Sequence, residues 1–137
     1  MRREQTLRQK VLTRMAEQKE DVFLPREFSD LGGEDQVLRA LRGLVRDGQL
    51  VRLGYGVYGR AFRSSLSGQP ILNSPDSFVS ASRQALTKLG IQWEPTQAEK
   101  DYNDRRSTQV PANAAVRIKG RFSRRLSYQG RDLLIER

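Results

Sequence analysis

The sequence predicts an α+β protein: an N-terminal winged helix-turn-helix over residues 1–63, followed by a small mixed α/β domain over 64–137. Three observations predict it. Residues 6–47 carry apolar stripes at helical spacing in three successive segments, the third with an arginine row opposite its apolar side. A glycine-flanked tyrosine between two short apolar runs then reads as a β-hairpin. After a polar, Gly/Ser-rich stretch at 63–69, a helix is followed by alternating, strand-like segments.

The first helix spans Thr6 to Glu20, with Leu7, Val11, Leu12 and Met15 on one stripe. Asp21-Val22-Phe23 breaks the period and reads as extended. A short second helix starts at Leu24-Pro25-Arg26-Glu27-Phe28, where Pro25 fits the first helical position because its missing N–H costs nothing there. Gly32-Gly33 turns the chain into a third helix, Glu34 to Asp47. Val37, Leu38, Leu41, Leu44 and Val45 form its apolar sector. Glu34 and Asp35 suit the positive end of its dipole, and Asp47-Gly48 is a stop. Leu50 to Leu53 and Val57 to Arg60 are the hairpin strands around Gly54-Tyr55-Gly56.

In the second half, Ser74-Pro75 opens a helix that carries Phe78, Val79, Leu86 and Leu89 and stops at Gly90. Ile91-Gln92-Trp93 is a short strand, with Trp93 expected in the core. Thr96 to Glu99 has the form of a capping box opening a brief helix. Strands are expected at Val116–Lys119, Arg124–Tyr128 and Asp132–Ile135, with turns at Gly120 and Gly130.

Charge narrows the function. The 25 Lys+Arg outnumber the 16 Asp+Glu, a net charge of +9 that points to polyanionic partners, nucleic acid before membrane. Residues 1–63 contribute +4 and the remainder +5, so the surplus is spread over both halves. Cysteine and histidine are absent, which excludes disulfides, zinc fingers, cysteine nucleophiles and Ser-His triads. The expectation is a cytoplasmic binding protein: not an enzyme, with no metal, no cofactor and no membrane span.

A major groove about 12 Å wide accepts one helix, apolar toward its own core and basic toward DNA. Gln36, Arg39, Arg42 and Arg46 supply that outward side, with Gln36 and Arg39 as base readers and Arg42 and Arg46 as phosphate contacts. Arg52 and Tyr55 on the hairpin extend the surface; Arg26 and Arg60 are further candidates near phosphate, and Tyr58 is assigned to packing. The same arginine row also fits a plain solvated helix face. The hairpin in the right order and the charge surplus favour DNA. Promoter binding as a homodimer on an inverted repeat follows from two-fold matching of protein and operator.

The stretch Val22-Phe23-Leu24-Pro25-Arg26-Glu27-Phe28-Ser29-Asp30-Leu31-Gly32 resembles the AbiEi-type antitoxin winged-helix family. So do Val37 to Gly48, Leu53-Gly54-Tyr55-Gly56-Val57-Tyr58 and, more specifically, Ser107-Thr108-Gln109-Val110-Pro111-Ala112. The resemblance covers most of the chain from Val22 to Ile135. It implies a bacterial regulator from a type IV toxin–antitoxin operon that represses its own promoter. It also implies a nucleotidyltransferase toxin countered without a stable complex. Members carry a larger C-terminal region tied to neutralisation, so the chain reads as a C-terminally short member or as a stand-alone regulator of a plasmid, phage or other mobile element.

Arg117, Lys119, Arg121, Arg124, Arg125 and Arg131 cluster in the last segments. They fit a second nucleic-acid surface or, equally, a solvated edge protected against aggregation. Ser107, Thr108 and Gln109 lack any catalytic companion and read as a loop bonding its own backbone. Two rival functions remain open: toxin neutralisation or partner binding, and RNA binding by the basic C-terminal strands.

Overall fold

A computed structural model describes residues 6–73, 77–105, 114–122 and 124–136, and within them the chain is mixed α and β, with four α-helices and several small sheets. The first helix, α1, spans Leu7–Glu17. Thr6 caps it reciprocally: the Gln9 N–H donates to Thr6 Oγ1 at 3.2 Å, and the Thr6 N–H donates to Gln9 Oε1 at 3.0 Å. It ends three residues before the expected Glu20, because Gln18 is extended and the chain turns there into β1, Val22–Phe23.

The expected second helix is one 3-10 turn, Pro25–Phe28. The Leu24 N–H donates to Glu27 Oε2 at 2.7 Å, which closes so short a segment without a longer helix. Gly33 then precedes α2, Glu34–Arg46, which buries Val37, Leu41 and Leu44. The hairpin strands are β2, Leu50–Gly54, and β3, Val57–Arg63, with Gly54 and Val57 paired across the two-residue tip.

Strand β1 pairs with one side of β3 and β2 with the other, both antiparallel. Successive strand residues face opposite ways, and here both faces are covered. Phe23, Leu50 and Tyr58 pack with Val11, Met15, Phe28, Val37, Leu41 and Leu44 beneath α1 and α2. Val22, Leu53 and Val57 pack on the other face with Phe78, Leu86, Val116, Leu126 and Leu133 from the second half.

Residue 63, the expected boundary, is the last residue of β3. Residues 64–69 are the loop of a second hairpin, in which β4, Pro70–Leu72, pairs antiparallel with the end of β3. Leu72 is buried in the same core as Val22 and Leu53. Polar composition marked a turn there, and the apolar residues on either side of it meet.

Helix α3, Ser77–Lys88, carries Phe78, Ala81, Ala85 and Leu86 into that core. The expected opening at Ser74-Pro75 lies outside the described residues. Strand β5 is Trp93–Glu94, and α4, Gln97–Asn103, starts at Thr96, whose Oγ1 accepts from the Glu99 N–H at 3.2 Å. Strand β6, Ala115–Ile118, pairs antiparallel with β5 and parallel with β9, Leu134–Glu136. The two other expected C-terminal strands come out differently. Of Arg124–Tyr128 only Ser127–Tyr128 forms strand, β7, paired with β8, Arg131–Asp132. The run Asp132–Ile135 is broken at buried Leu133, so its two ends join different sheets.

Candidate nucleic-acid interface

On α2, Gln36, Arg39, Arg42 and Arg46 are all exposed. At about 100° per residue the three arginines fall within about 60° of one another, opposite the buried Val37, Leu41 and Leu44. A groove lies on each side of this ridge. Arg42 lines one with Leu38, Val45, Arg52, Tyr55 and Tyr58, between α2 and the β2–β3 hairpin. Gln36, Arg39 and Arg46 line the other with Thr6, Leu7 and Arg8 at the start of α1.

The hairpin residues differ in burial, although Arg52 and Tyr58 are paired across the strands. Tyr58 is 4% exposed and packs in the core beneath α1 and α2, whereas Tyr55 at the tip is 77% exposed. Arg52 is exposed, with its Nε donating to the Gly54 carbonyl at 3.3 Å, which keeps the guanidinium at the tip.

The three α2 arginines share a lack of partners. Among the described residues, no carboxylate or carbonyl engages the guanidinium of Arg39, Arg42 or Arg46. The arginines of the surrounding elements are engaged by the fold. Arg14 holds both carboxylate oxygens of Asp30 at 2.5 and 2.7 Å and the Glu27 carbonyl at 3.0 Å. That pair, mainly through its hydrogen bonds, pulls the Asp30 carboxyl below its usual range. Arg8 pairs with Asp47, and Arg83 pairs with Glu99 while lying 4.9 Å over the Trp93 ring.

Arg60 and Arg26, grouped in the sequence with the DNA contacts, are both hydrogen-bonded within the fold. Arg60 donates from Nη2 to the carbonyls of Met15, Gln18 and Glu20 at 2.7, 3.1 and 2.9 Å. Its Nε donates to Asp21 Oδ1 at 3.2 Å, and the group lies 5.1 Å over the Phe23 ring. It thus closes the C-terminal end of α1, where a cation is favoured by the helix dipole. Arg26 donates to the Lys88 carbonyl at the end of α3. Arg63, which sequence reasoning did not single out, does for α2 what Arg60 does for α1. It donates to the carbonyls of Asp47 at 3.2 Å and Arg46 at 3.3 Å, and to Gly68 at 3.0 Å.

The C-terminal cations are not equivalent either. Arg117 is half-buried and 3.7 Å from Glu94, and Arg125 holds Asp132 by two bonds at 2.8 and 2.9 Å. Lys119, Arg121 and Arg124 are exposed. Glu94 lies among Lys100, Lys119 and Arg117, and its hydrogen bond with Lys100 is the main cause of its lowered pKa. Trp93 is partly buried against the core, with Nε1 donating to Thr87 Oγ1 at 2.9 Å. Ser107, Thr108 and Gln109 lie outside the described residues. Among those described, no three carboxylates converge on a metal-sized site, and no helix is long and apolar enough to cross a membrane.

Comparison with protein-family models, with curated proteins and with solved structures finds no match to this chain.

Proposed function

We propose that this chain is a sequence-specific duplex-DNA-binding regulator of winged-helix type, with α2 as the recognition helix and the β2–β3 hairpin as the wing. The observation that carries the reading is the ridge of Arg39, Arg42 and Arg46, unengaged while arginines around it are tied into the fold. A row of cations without internal partners, on one outward helix face, is the arrangement phosphate neutralisation uses. The element order supports it: helix, strand, short helical turn, helix, hairpin, with the first strand beside the last in a β1-β3-β2 sheet. Exposed Tyr55 and Arg52 then stand where a wing meets the backbone or the minor groove.

In this reading Gln36 and Arg39, in the N-terminal half of α2, read base edges. Arg42 and Arg46 hold phosphates and set the register. The regulator acts in the cytoplasm as a homodimer on an inverted repeat in its own promoter. The resemblance of most of the chain from Val22 to Ile135 to AbiEi-type antitoxins supports autorepression of a toxin–antitoxin operon, whose toxin is a nucleotidyltransferase, or of a mobile-element operon. The role is binding rather than catalysis.

The test is the variant with Arg39, Arg42 and Arg46 all changed to alanine. The two lost phosphate contacts should reduce the slope of log affinity against log salt by about two on any duplex, and the lost Arg39 contact should lower preference among duplexes. Unchanged duplex affinity in the folded variant would remove α2 from the interface.

A further inference from the structure

Gly54, the last residue of β2, lies closer to the C-terminal segment than any side chain would permit. A Cβ there would fall 2.5 Å from the Arg125 carbonyl oxygen and 3.0 Å from Leu126 Cδ2. Gly54 is not among the positive-φ glycines, so the position needs glycine for space rather than for a left-handed turn. Leu126 is buried in the same core as Leu53 and Val57, the residues that flank the hairpin tip.

The segment is held there independently of Gly54. The Leu133 N–H donates to the Leu126 carbonyl at 2.8 Å. Tyr128 Oη accepts from the Leu72 N–H at 3.3 Å and donates to the Pro70 carbonyl at 3.4 Å, tying β7 to β4. The Arg125 guanidinium is taken up by Asp132. Arg124 precedes it, is exposed, and has no carboxylate or carbonyl partner among the described residues. Its Cα is about 3.8 Å from that of Arg125, so it stands beside the hairpin that carries exposed Arg52 and Tyr55.

We propose that Arg124 is a further phosphate contact, which the C-terminal segment, seated on Gly54, adds to the wing. The proposal rests on the duplex-DNA reading above. A duplex carries one charge per about 1.7 Å of its axis, so a cation added next to the hairpin meets a phosphate of the backbone that the hairpin meets. The binding surface is then composite: α2 and the hairpin come from the first half of the chain, Arg124 from the last fifteen residues.

The test is a salt-dependent titration of a random-sequence duplex of about two helical turns with Arg124→Ala, Arg124→Glu, Gly54→Ala and, in parallel, Arg42→Ala. Arg124→Ala is expected to weaken binding several-fold and to reduce the salt slope by about one, with Arg124→Glu losing more. Gly54→Ala should show the same loss, and Arg124→Ala added to it should cost little more, because the segment is already displaced. A salt slope unchanged by Arg124→Ala but reduced by Arg42→Ala would overturn the Arg124 contact and leave the duplex reading standing. Loss of neither slope, or no duplex binding by the parent chain, would overturn both. If Gly54→Ala does not fold, the two exposed Arg124 variants decide alone.

Discussion

The guanidinium of Arg63, at the end of β3, donates to the Asp47 carbonyl that follows α2 at 3.2 Å. The same group reaches the carbonyls of Arg46 and Gly68, so one side chain closes the C-terminal end of α2 and pins the loop between β3 and β4. It also covers Gly48, where φ is +79° and a Cβ would fall 2.9 Å from Arg63 Cγ. Arg63→Ala should lower stability by about 1–2 kcal/mol, the value of charged hydrogen bonds to partly exposed carbonyls. A urea titration with an unchanged midpoint would show that water replaces Arg63 without loss.

Arg60 predicts a different signature. It is half-buried and serves three carbonyls and Asp21 together. Arg60→Ala should cost about 2–3 kcal/mol, and Arg60→Lys should recover little, because a single ammonium lacks the planar fork. Duplex affinity per folded molecule should stay near that of the parent chain. A selective loss of DNA binding at full stability would return Arg60 to the interface.

Arg39 and Arg42 should separate base reading from phosphate holding. Arg39→Ala is expected to cost about 1–3 kcal/mol on the operator and to blur preference at one position, if the contact is bidentate. Arg42→Ala should weaken all duplexes alike and reduce the salt slope by about one. Binding measured on the operator and on a shuffled duplex distinguishes them; a reversed pattern would exchange their roles.

The Arg14–Asp30 pair joins α1 to the turn before α2. The Asp30 carboxyl lies below its usual range, chiefly through its hydrogen bonds with Arg14. A depressed carboxylate contributes stability that is present above its unfolded pKa and lost as pH falls through the folded one. The contribution should therefore fade below about pH 4. Asp30→Asn should flatten the acid limb of stability against pH there and leave its shape near neutrality unchanged. An acid limb identical to that of the parent chain would show the pair makes no difference to folding.

The longer elements were legible in the sequence because their own residues determine them. The α2 stripe of Val37, Leu41 and Leu44, the Tyr55-Gly56 tip and the Thr96 cap all lie where spacing and capping chemistry put them. Strand β4 and the break at Leu133 were not legible. Each depends on a distant partner: Leu72 on Ala61 across a loop, and Leu134 on Ala115 in a parallel pairing that no local turn announces. In the candidate site, exposure of the arginine row followed from helical period alone. The tasks of Arg60 and Arg63 did not, because they are set by where two helices end in space. The seat of Arg125 on Gly54 was hidden for the same reason: a glycine at a hairpin reads first as turn chemistry.

The central claim is that the α2 ridge and the hairpin read a particular duplex. Its most direct test is a titration of the parent chain with its native upstream fragment, a shuffled duplex of equal length and a structured RNA, each at several salt concentrations. The account predicts tight binding to the upstream fragment that persists near physiological salt, with the shuffled duplex and the RNA much weaker. Weak binding to all three that collapses together as salt rises would contradict it, leaving the charge surplus as the sole source of attraction.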